Sequence, residues 1–145
     1  MKPLKHALVM LLLCFASASY AQTGTKSSFF SNQPDRLTCN SLTLSNAFNK
    51  TEGQAVTINF SDRNFSGRVI SNIVKYSNLQ SMTIQLTGFR NAVLHLSKQT
   101  NADNTFSYVG RIMHNDANDG YMMETAGNDY AFKKINTQKI LETCH

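Results

Sequence analysis

The feature that most constrains the fold is the alternation of apolar and polar residues in residues 81–98, SMTIQLTGFRNAVLHLSK. Every second residue from position 82 to 86 is apolar, and Leu94 and Leu96 resume this order after a short connection that contains Gly and Asn. Because successive side chains of a β-strand point to opposite faces, each half predicts a strand with one apolar face. Two such strands joined by a short connection are typical of a β-hairpin.

The same signal recurs along the chain and predicts a sheet of about seven strands. Besides the hairpin, alternating or apolar runs occupy residues 56–60, 65–76, 106–114, 121–125 and 130–135, with polar turns between them. The run 65–76 carries apolar residues on both faces, which indicates a strand covered on both sides or bent by a bulge near Gly67. We predict a mainly β (α+β) fold, an antiparallel meander that forms a curved sheet or a small barrel.

Two short helical segments are predicted at the ends of this meander. In residues 37–50 the apolar residues follow helical spacing, and Ser41 or Thr43 can cap the start of a short N-terminal helix. After the last strand, Asn136 or Thr137 can cap a C-terminal helical turn. These segments would lie across one end or one face of the sheet.

The first 21 residues have the composition of a cleavable signal peptide. Lys2 and Lys5 precede an apolar run at residues 7–16, and small residues suit cleavage after Ala21. The apolar run is too short to span a bilayer. Lipid attachment at Cys14 is the rival interpretation, but a leucine precedes this cysteine where a lipobox needs a small residue. We therefore predict a secreted or periplasmic protein with no membrane span after cleavage.

The rest of the chain divides into a leader and one domain. Residues 22–36 are rich in Thr, Ser, Gly and Gln and are predicted to be a flexible leader. Its only apolar pair, Phe29 and Phe30, could instead dock on the domain. Residues 37–145 are predicted to form a single β-rich domain, since a chain of this length suits one hydrophobic core.

The charge of the chain argues against nucleic-acid binding. Loss of Lys2 and Lys5 with the signal lowers the formal net charge from +5 to +3. The remaining lysines and arginines are scattered along the sequence, and only Lys133 and Lys134 are adjacent. Nucleic-acid binding normally concentrates positive charge on one face, so we expect no nucleic-acid partner.

Cysteine usage predicts one disulfide bond. Removal of the signal also removes Cys14 and leaves Cys39 and Cys144 near the two ends of the domain. In an oxidising compartment such a pair most simply forms a disulfide that ties the ends together. The spacing does not suit thioredoxin-type redox chemistry, and no second cysteine pair is present to build a zinc site.

Residues 114–120, HNDANDG, form the densest cluster of polar side chains. Aligned as a calcium loop with Gly120 at the sixth position, they place Ala117 at the third position and Ala126 where the final acid is needed. We therefore predict a hairpin loop rather than a metal site. A catalytic alternative is a small secreted hydrolase that uses His114 with Asp116 or Asp119.

Known catalytic and cofactor motifs do not occur in the sequence. There is no H-E-x-x-H, no G-x-S-x-G and no glycine-rich phosphate loop, so we predict no catalytic residues, metal or cofactor. The leading hypothesis is a non-enzymatic binding module for a protein partner, as an inhibitor or accessory subunit, or for a small ligand. A third hypothesis is a structural component of an envelope assembly, and the oligomeric state is open. The candidate binding residues are His95, Arg111, His114, Asp116, Asp119 and Tyr121.

Overall fold

The computed structural model describes residues 26–90 and 92–137. They contain eight strands and one short helix. In chain order the elements are β1 (Arg36–Cys39), α1 (Ser41–Phe48), β2 (Ala55–Asn59), β3 (Asn64–Tyr76), β4 (Leu79–Leu86), β5 (Ala92–Thr100), β6 (Phe106–His114), β7 (Asp119–Ala126) and β8 (Asp129–Asn136).

All eight strands belong to one antiparallel sheet that curls into a half-barrel. Its order is β1-β8-β7-β6-β5-β4-β3-β2, so the chain meanders from β2 to β8 and β1 is added beside β8. The two edge strands approach each other at one end. There the N–H of Ser61, just after β2, donates to the carbonyl oxygen of Thr38 in β1 at 2.8 Å.

The prediction of seven strands is wrong by one, because β1 was not recognised. This strand has only four residues, and its partner β8 lies about ninety residues later in the chain. Leu37 and Cys39 alternate with exposed or half-buried residues, which is too short a pattern to separate from a helix start. The helix begins only at Ser41, with Asn40 as its cap: the side-chain oxygen of Asn40 accepts from the N–H of Thr43 at 2.8 Å.

The concave face of the sheet and the helix enclose the hydrophobic core. The apolar face predicted for the hairpin is buried there, each residue no more than 3% exposed: Met82, Ile84, Leu86, Leu94 and Leu96. From α1, Leu44, Ala47 and Phe48 pack against the same core. The alternation in the strands, with a period of two, and the helical spacing in α1, with a period of about 3.6, thus both direct apolar side chains into one core.

Strand β3 is longer than its neighbour β2 and is irregular at two points. Pairing with β2 ends at Arg68, whereas pairing with β4 continues to Tyr76. The register shifts between Val69 and Ser71 and again between Val74 and Tyr76. The strand is thus bent by bulges beyond Gly67, and the apolar residues of its second half, Ile70, Ile73 and Val74, are exposed rather than covered.

Residues 26–35, here called the N-terminal segment, lie against the sheet. Phe30 is fully buried and its ring contacts those of Phe89 and Tyr121. This is the docked arrangement that the sequence left open for the Phe pair. Within the described residues no helix is long and apolar enough to cross a membrane.

Several predictions fall on parts of the chain outside the described residues. They are the signal peptide at residues 1–21 and the last residues of the predicted C-terminal helical turn, together with Cys144. Cys39 is a buried thiol, and no disulfide is present between described residues. Burial, together with the nearby carboxylate of Asp129, raises the pKa of the Cys39 thiol to about 11.

Candidate functional site

A polar groove crosses the outer face of the sheet, opposite the core. It has a volume of about 440 Å³ and is here called the outer groove. A volume of this order is within the range of small-molecule sites. Its lining residues are Lys75, Ser81, Thr83, His95, Ser97, Val109, Gly110, Arg111 and Met122.

Strand register brings these residues together from five strands. Thr83 lies opposite His95, His95 lies opposite Arg111, and Arg111 lies opposite Met122 in one row across β4 to β7. A parallel row places Ser97 between Ser81 and Val109. The central strand β5 therefore contributes His95 and Ser97, with Ser81 and Thr83 of β4 on one side and Val109 and Arg111 of β6 on the other. This juxtaposition follows from the alternation that places residues 93, 95 and 97 outward.

The outer groove contains three nitrogen-bearing side chains and no carboxylate. These are Lys75, His95 and Arg111. His95 Nδ1 lies 3.4 Å from the hydroxyl of Thr83. Partial burial and then the positive charge of Arg111 lower the pKa of His95 below its ordinary value of 6.5. Positive charge is therefore concentrated here without a local acid to neutralise it.

Acidic residues are also scarce in the part of the sequence that forms most of the outer groove. No Asp or Glu occurs in β3, β4, β5 or β6, and Asp103, in the turn between β5 and β6, is the single acid from residue 64 to residue 115. Its carboxylate accepts from the N–H and the hydroxyl of Thr105 at 3.0 and 2.6 Å. The basic residues themselves are scattered along the sequence, so their positions did not reveal a charged region. The charge asymmetry comes from the absence of acids in β3 to β6.

Asp119, another candidate, instead holds the N-terminal segment on the sheet. Its carboxylate accepts from the N–H of Phe29 at 2.7 Å, from the N–H of Phe30 at 2.9 Å and from the hydroxyl of Ser28. The carboxylate belongs to a residue only 6% exposed. Both of its oxygens are therefore occupied by the chain itself.

His114 lies beneath the same segment. The Phe29 ring stacks on its imidazole with ring centroids 3.9 Å apart, and His114 Nδ1 accepts from the N–H of Asp116 at 3.1 Å. His114 Nε2 is buried and has no hydrogen-bond partner among the described residues. The bond between His114 and Asp116 thus uses the backbone of Asp116, whose side chain is exposed.

Tyr121 is also part of the interior rather than of an accessible surface. It is fully buried, and its hydroxyl donates to the carbonyl oxygen of Pro34 at 2.6 Å. Burial, followed by the nearby carboxylates of Asp35 and Asp119, raises the pKa of Tyr121 to about 12. Of the six candidates, His95 and Arg111 share the outer groove, while His114, Asp119 and Tyr121 contact the N-terminal segment.

A second groove, of about 570 Å³, lies between the N-terminal segment and β8. It is larger, but most of its charged side chains are already engaged within the chain: Arg36 pairs with Glu124, Lys134 pairs with Asp35 and Asp119 binds the N-terminal segment, whereas Lys133 is exposed. Lys134 Nζ lies 3.0 Å from the carboxylate of Asp35 and donates to the carbonyl oxygen of Gln33 at 2.6 Å. Asp119 lines the same groove and is occupied as described above. The outer groove is therefore the better candidate for a ligand.

Metal binding has no visible ligand set in the described part of the chain. No group of three or more His, Cys, Asp or Glu side chains converges there. Comparison with protein-family models, with curated proteins and with solved structures finds no significant match. No family is identified. The function is therefore inferred from the fold and the outer groove.

Proposed function

We propose that this protein is an exported, non-enzymatic binding module that holds a small anionic ligand in the outer groove. The observation that carries the proposal is the convergence of Lys75, His95 and Arg111 from three strands, β3, β5 and β6, none of which contains an acid. Oriented cations without a neutralising partner attract an anion and favour its binding over that of a neutral analogue.

The side chains of the groove suit a carboxylate or a phosphate group. Arg111 presents a planar fork of donors that can bind two oxygens at once, and Lys75 adds a point charge. The hydroxyls of Thr83 and Ser97 can donate to the remaining oxygens. At the margin Val109 is 64% exposed, so it can cover a small apolar part of the ligand.

A matched pair of arginine variants tests this proposal. Isothermal titration with inorganic phosphate and with a panel of small dicarboxylates should detect binding, and Arg111→Gln should weaken it by about tenfold or more. Arg36→Gln is the control, because Arg36 lies on the same outer face but is paired with Glu124 at 2.5 Å. Equal affinities in both variants, or no binding by any anion of the panel, would refute the proposal.

The envelope-assembly alternative is favoured by one observation, an exposed strand edge. The last residues of β3 extend beyond β2 and carry exposed apolar side chains such as Ile73 and Val74. A structural component should associate as its concentration rises. Sedimentation velocity over a wide concentration range separates this alternative, which requires self-association, from a ligand-binding module that stays monomeric.

The hydrolase alternative would require His114 and Asp119 to become accessible. Phe29 covers the imidazole, and the Asp119 carboxylate accepts three bonds from the N-terminal segment. A substrate could reach them only after displacement of that segment. If His114→Ala abolished a hydrolytic activity without lowering the melting temperature, this alternative would gain support.

We also propose that the protein is exported and that Cys39 forms a disulfide with Cys144. Cys39 lies opposite Tyr130 at the start of β8, whereas the chain leaves β8 after Asn136, roughly 20 Å further along the strand. The residues up to Cys144 would span about 26 Å if extended but only about 12 Å as a helix. Cys144 is therefore within reach of Cys39 if part of this stretch is extended.

Mass spectrometry of the non-reduced secreted protein tests both parts. We expect a chain that begins at Gln22 and is lighter by two hydrogens than its reduced form. Two free thiols would exclude the disulfide, and an intact Met1 would exclude cleavage.

A further inference from the structure

One edge of the sheet is open along the last part of β3. Hydrogen bonds from β2 end at Arg68, and the loop before β2 adds Gly53 and Gln54, which bond to the backbone of Val69. Residues 70–76 then pair with β4 on one side. On their other side the described residues provide no backbone partner.

This open edge is lined by large apolar side chains. Ile70, Ile73, Val74 and Tyr76 are all at least 44% exposed, and Tyr76 reaches 69%. Isolated exposed apolar residues are ordinary, but here four lie within residues 70–76 of a strand with one open edge, and they flank that edge on both faces, with Ile73 on the outer face and Val74 on the inner one. Unpaired N–H and C=O groups beside such side chains are a template for another strand.

The edge is held in place from its inner side. Asn72 donates to the carbonyl oxygens of Phe48 at 3.0 Å and of Lys50 at 2.8 Å, at the end of α1. Gln80 in turn donates to the side-chain oxygen of Asn72 at 2.8 Å. These bonds fix the edge against β4 and the helix end, so an incoming strand would find it already ordered. Such preorganisation lowers the entropy cost of binding.

We propose that residues 70–76 accept an extended acidic segment of a partner protein as an added β-strand. The backbone of the segment bonds to the open edge, its apolar residues pack beside Val74 on the inner face, and its carboxylates face Lys75 on the outer face. This mode of recognition obtains affinity from main-chain hydrogen bonds and specificity from alternate side chains. Lys75 also lines the outer groove, but the main-chain bonds at the open edge do not require a small anion to bind beside His95 and Arg111.

The positive charge at and near this edge favours an acidic partner over a second copy of this chain. Lys75 lies in the edge, Arg68 lies just before it, and strands β3 to β6 contain no acid. Pairing two copies edge to edge would bring together two regions of the same sign, which is unfavourable. The two bulges of β3 and Lys75 are features that disfavour indiscriminate strand pairing.

The test uses fluorescent synthetic peptides in which Glu alternates with Val or Thr. Binding to the purified protein is followed by fluorescence anisotropy, and protected amides are located by hydrogen exchange. Each peptide has two controls: an N-methylated form that keeps the charges but loses the donors of one strand edge, and a form with Lys in place of Glu. The protein variants are Lys75→Glu and, as a control with the same charge change on the exposed outer face of β8, Lys133→Glu.

We expect the acidic peptides to bind, the N-methylated forms to bind at least about tenfold more weakly, and protection to appear in residues 70–76. Lys75→Glu should weaken binding more than Lys133→Glu does. The proposal is overturned if N-methylation has no effect, if the Lys peptides bind equally well, if protection appears elsewhere or if no acidic peptide binds. Concentration-dependent dimerisation that protects residues 70–76 would also overturn it and assign the edge to a second copy. Because Arg111→Gln reports on the outer groove alone, failure of either proposal can be distinguished from failure of the other.

Discussion

Detachment of the N-terminal segment is the perturbation whose cost can best be worked out from the structure. Asp119→Ala removes the acceptor of three hydrogen bonds and leaves the N–H groups of Phe29 and Phe30 without it. Hydrogen bonds to a charged group contribute about 1.5–3 kcal/mol each and are not additive, so we expect a loss of about 3 kcal/mol. Phe30→Ala removes a fully buried ring and should cost about 3–5 kcal/mol.

The two substitutions should not add, because either one releases the same segment. Once the segment has detached, the contacts removed by the second substitution are already lost. We therefore expect the double variant to lose only about 1 kcal/mol more than Phe30→Ala, which corresponds to a coupling of about 2 kcal/mol. Asp116→Ala is the control, because the exposed side chain of Asp116 is not an anchor, and it should change stability by about 0.5 kcal/mol or less.

Urea denaturation of wild type and the four variants, followed by circular dichroism, measures these differences. A lower midpoint with little change in slope would show a loss of stability rather than a change in the unfolded state. Additivity of the two single variants to within about 0.5 kcal/mol would refute the reasoning, since independent sites add in this way. A neutral Asp119→Ala would show that the segment does not depend on its carboxylate anchor.

Three further predictions concern the outer groove, a close backbone approach and the helix cap. The pKa of His95 is lowered in the free protein, and a bound anion would raise it, so anion affinity should increase as the pH falls from about 8 to about 5. Titrations of wild type and His95→Gln at several pH values measure this increase. The same lowered pKa makes folding stability fall as the pH drops below about 6.5. Gly67→Ala should destabilise the protein by about 1–3 kcal/mol in thermal melts, since a Cβ there would lie 2.5 Å from the carbonyl oxygen of Gln85. Asn40→Ala should cost about 1 kcal/mol through loss of the cap on the Thr43 N–H, measured by urea titration.

Local patterns in the sequence were sufficient for most of the sheet. The hairpin of β4 and β5 is visible in the alternation at residues 82–86 and 94–96, because one buried face imposes a period of two. Strand β1 was missed since it has four residues and its pairing with β8 depends on contacts across nearly the whole chain. Nothing within Arg36–Cys39 itself could reveal that partner.

The candidate site divides in the same way between local and long-range information. His95 was expected on a polar strand face, and its placement beside Arg111 follows from the register of β5 and β6. By contrast, the role of Asp119 depends on Phe29 and Phe30, about ninety residues earlier in the chain. A turn-like sequence around Asp119 gave no sign that its carboxylate anchors another segment.

The proposed function is tested most directly by following nuclear magnetic resonance signals while inorganic phosphate is added. If the outer groove is the binding site, the imidazole of His95 and the amides of Thr83 and Arg111 should shift together and saturate with one dissociation constant. Signals of His114, beneath Phe29, should stay unchanged. Shifts confined to His114 and the N-terminal segment, or no saturable shift at His95 with phosphate or any dicarboxylate of the panel, would contradict this assignment.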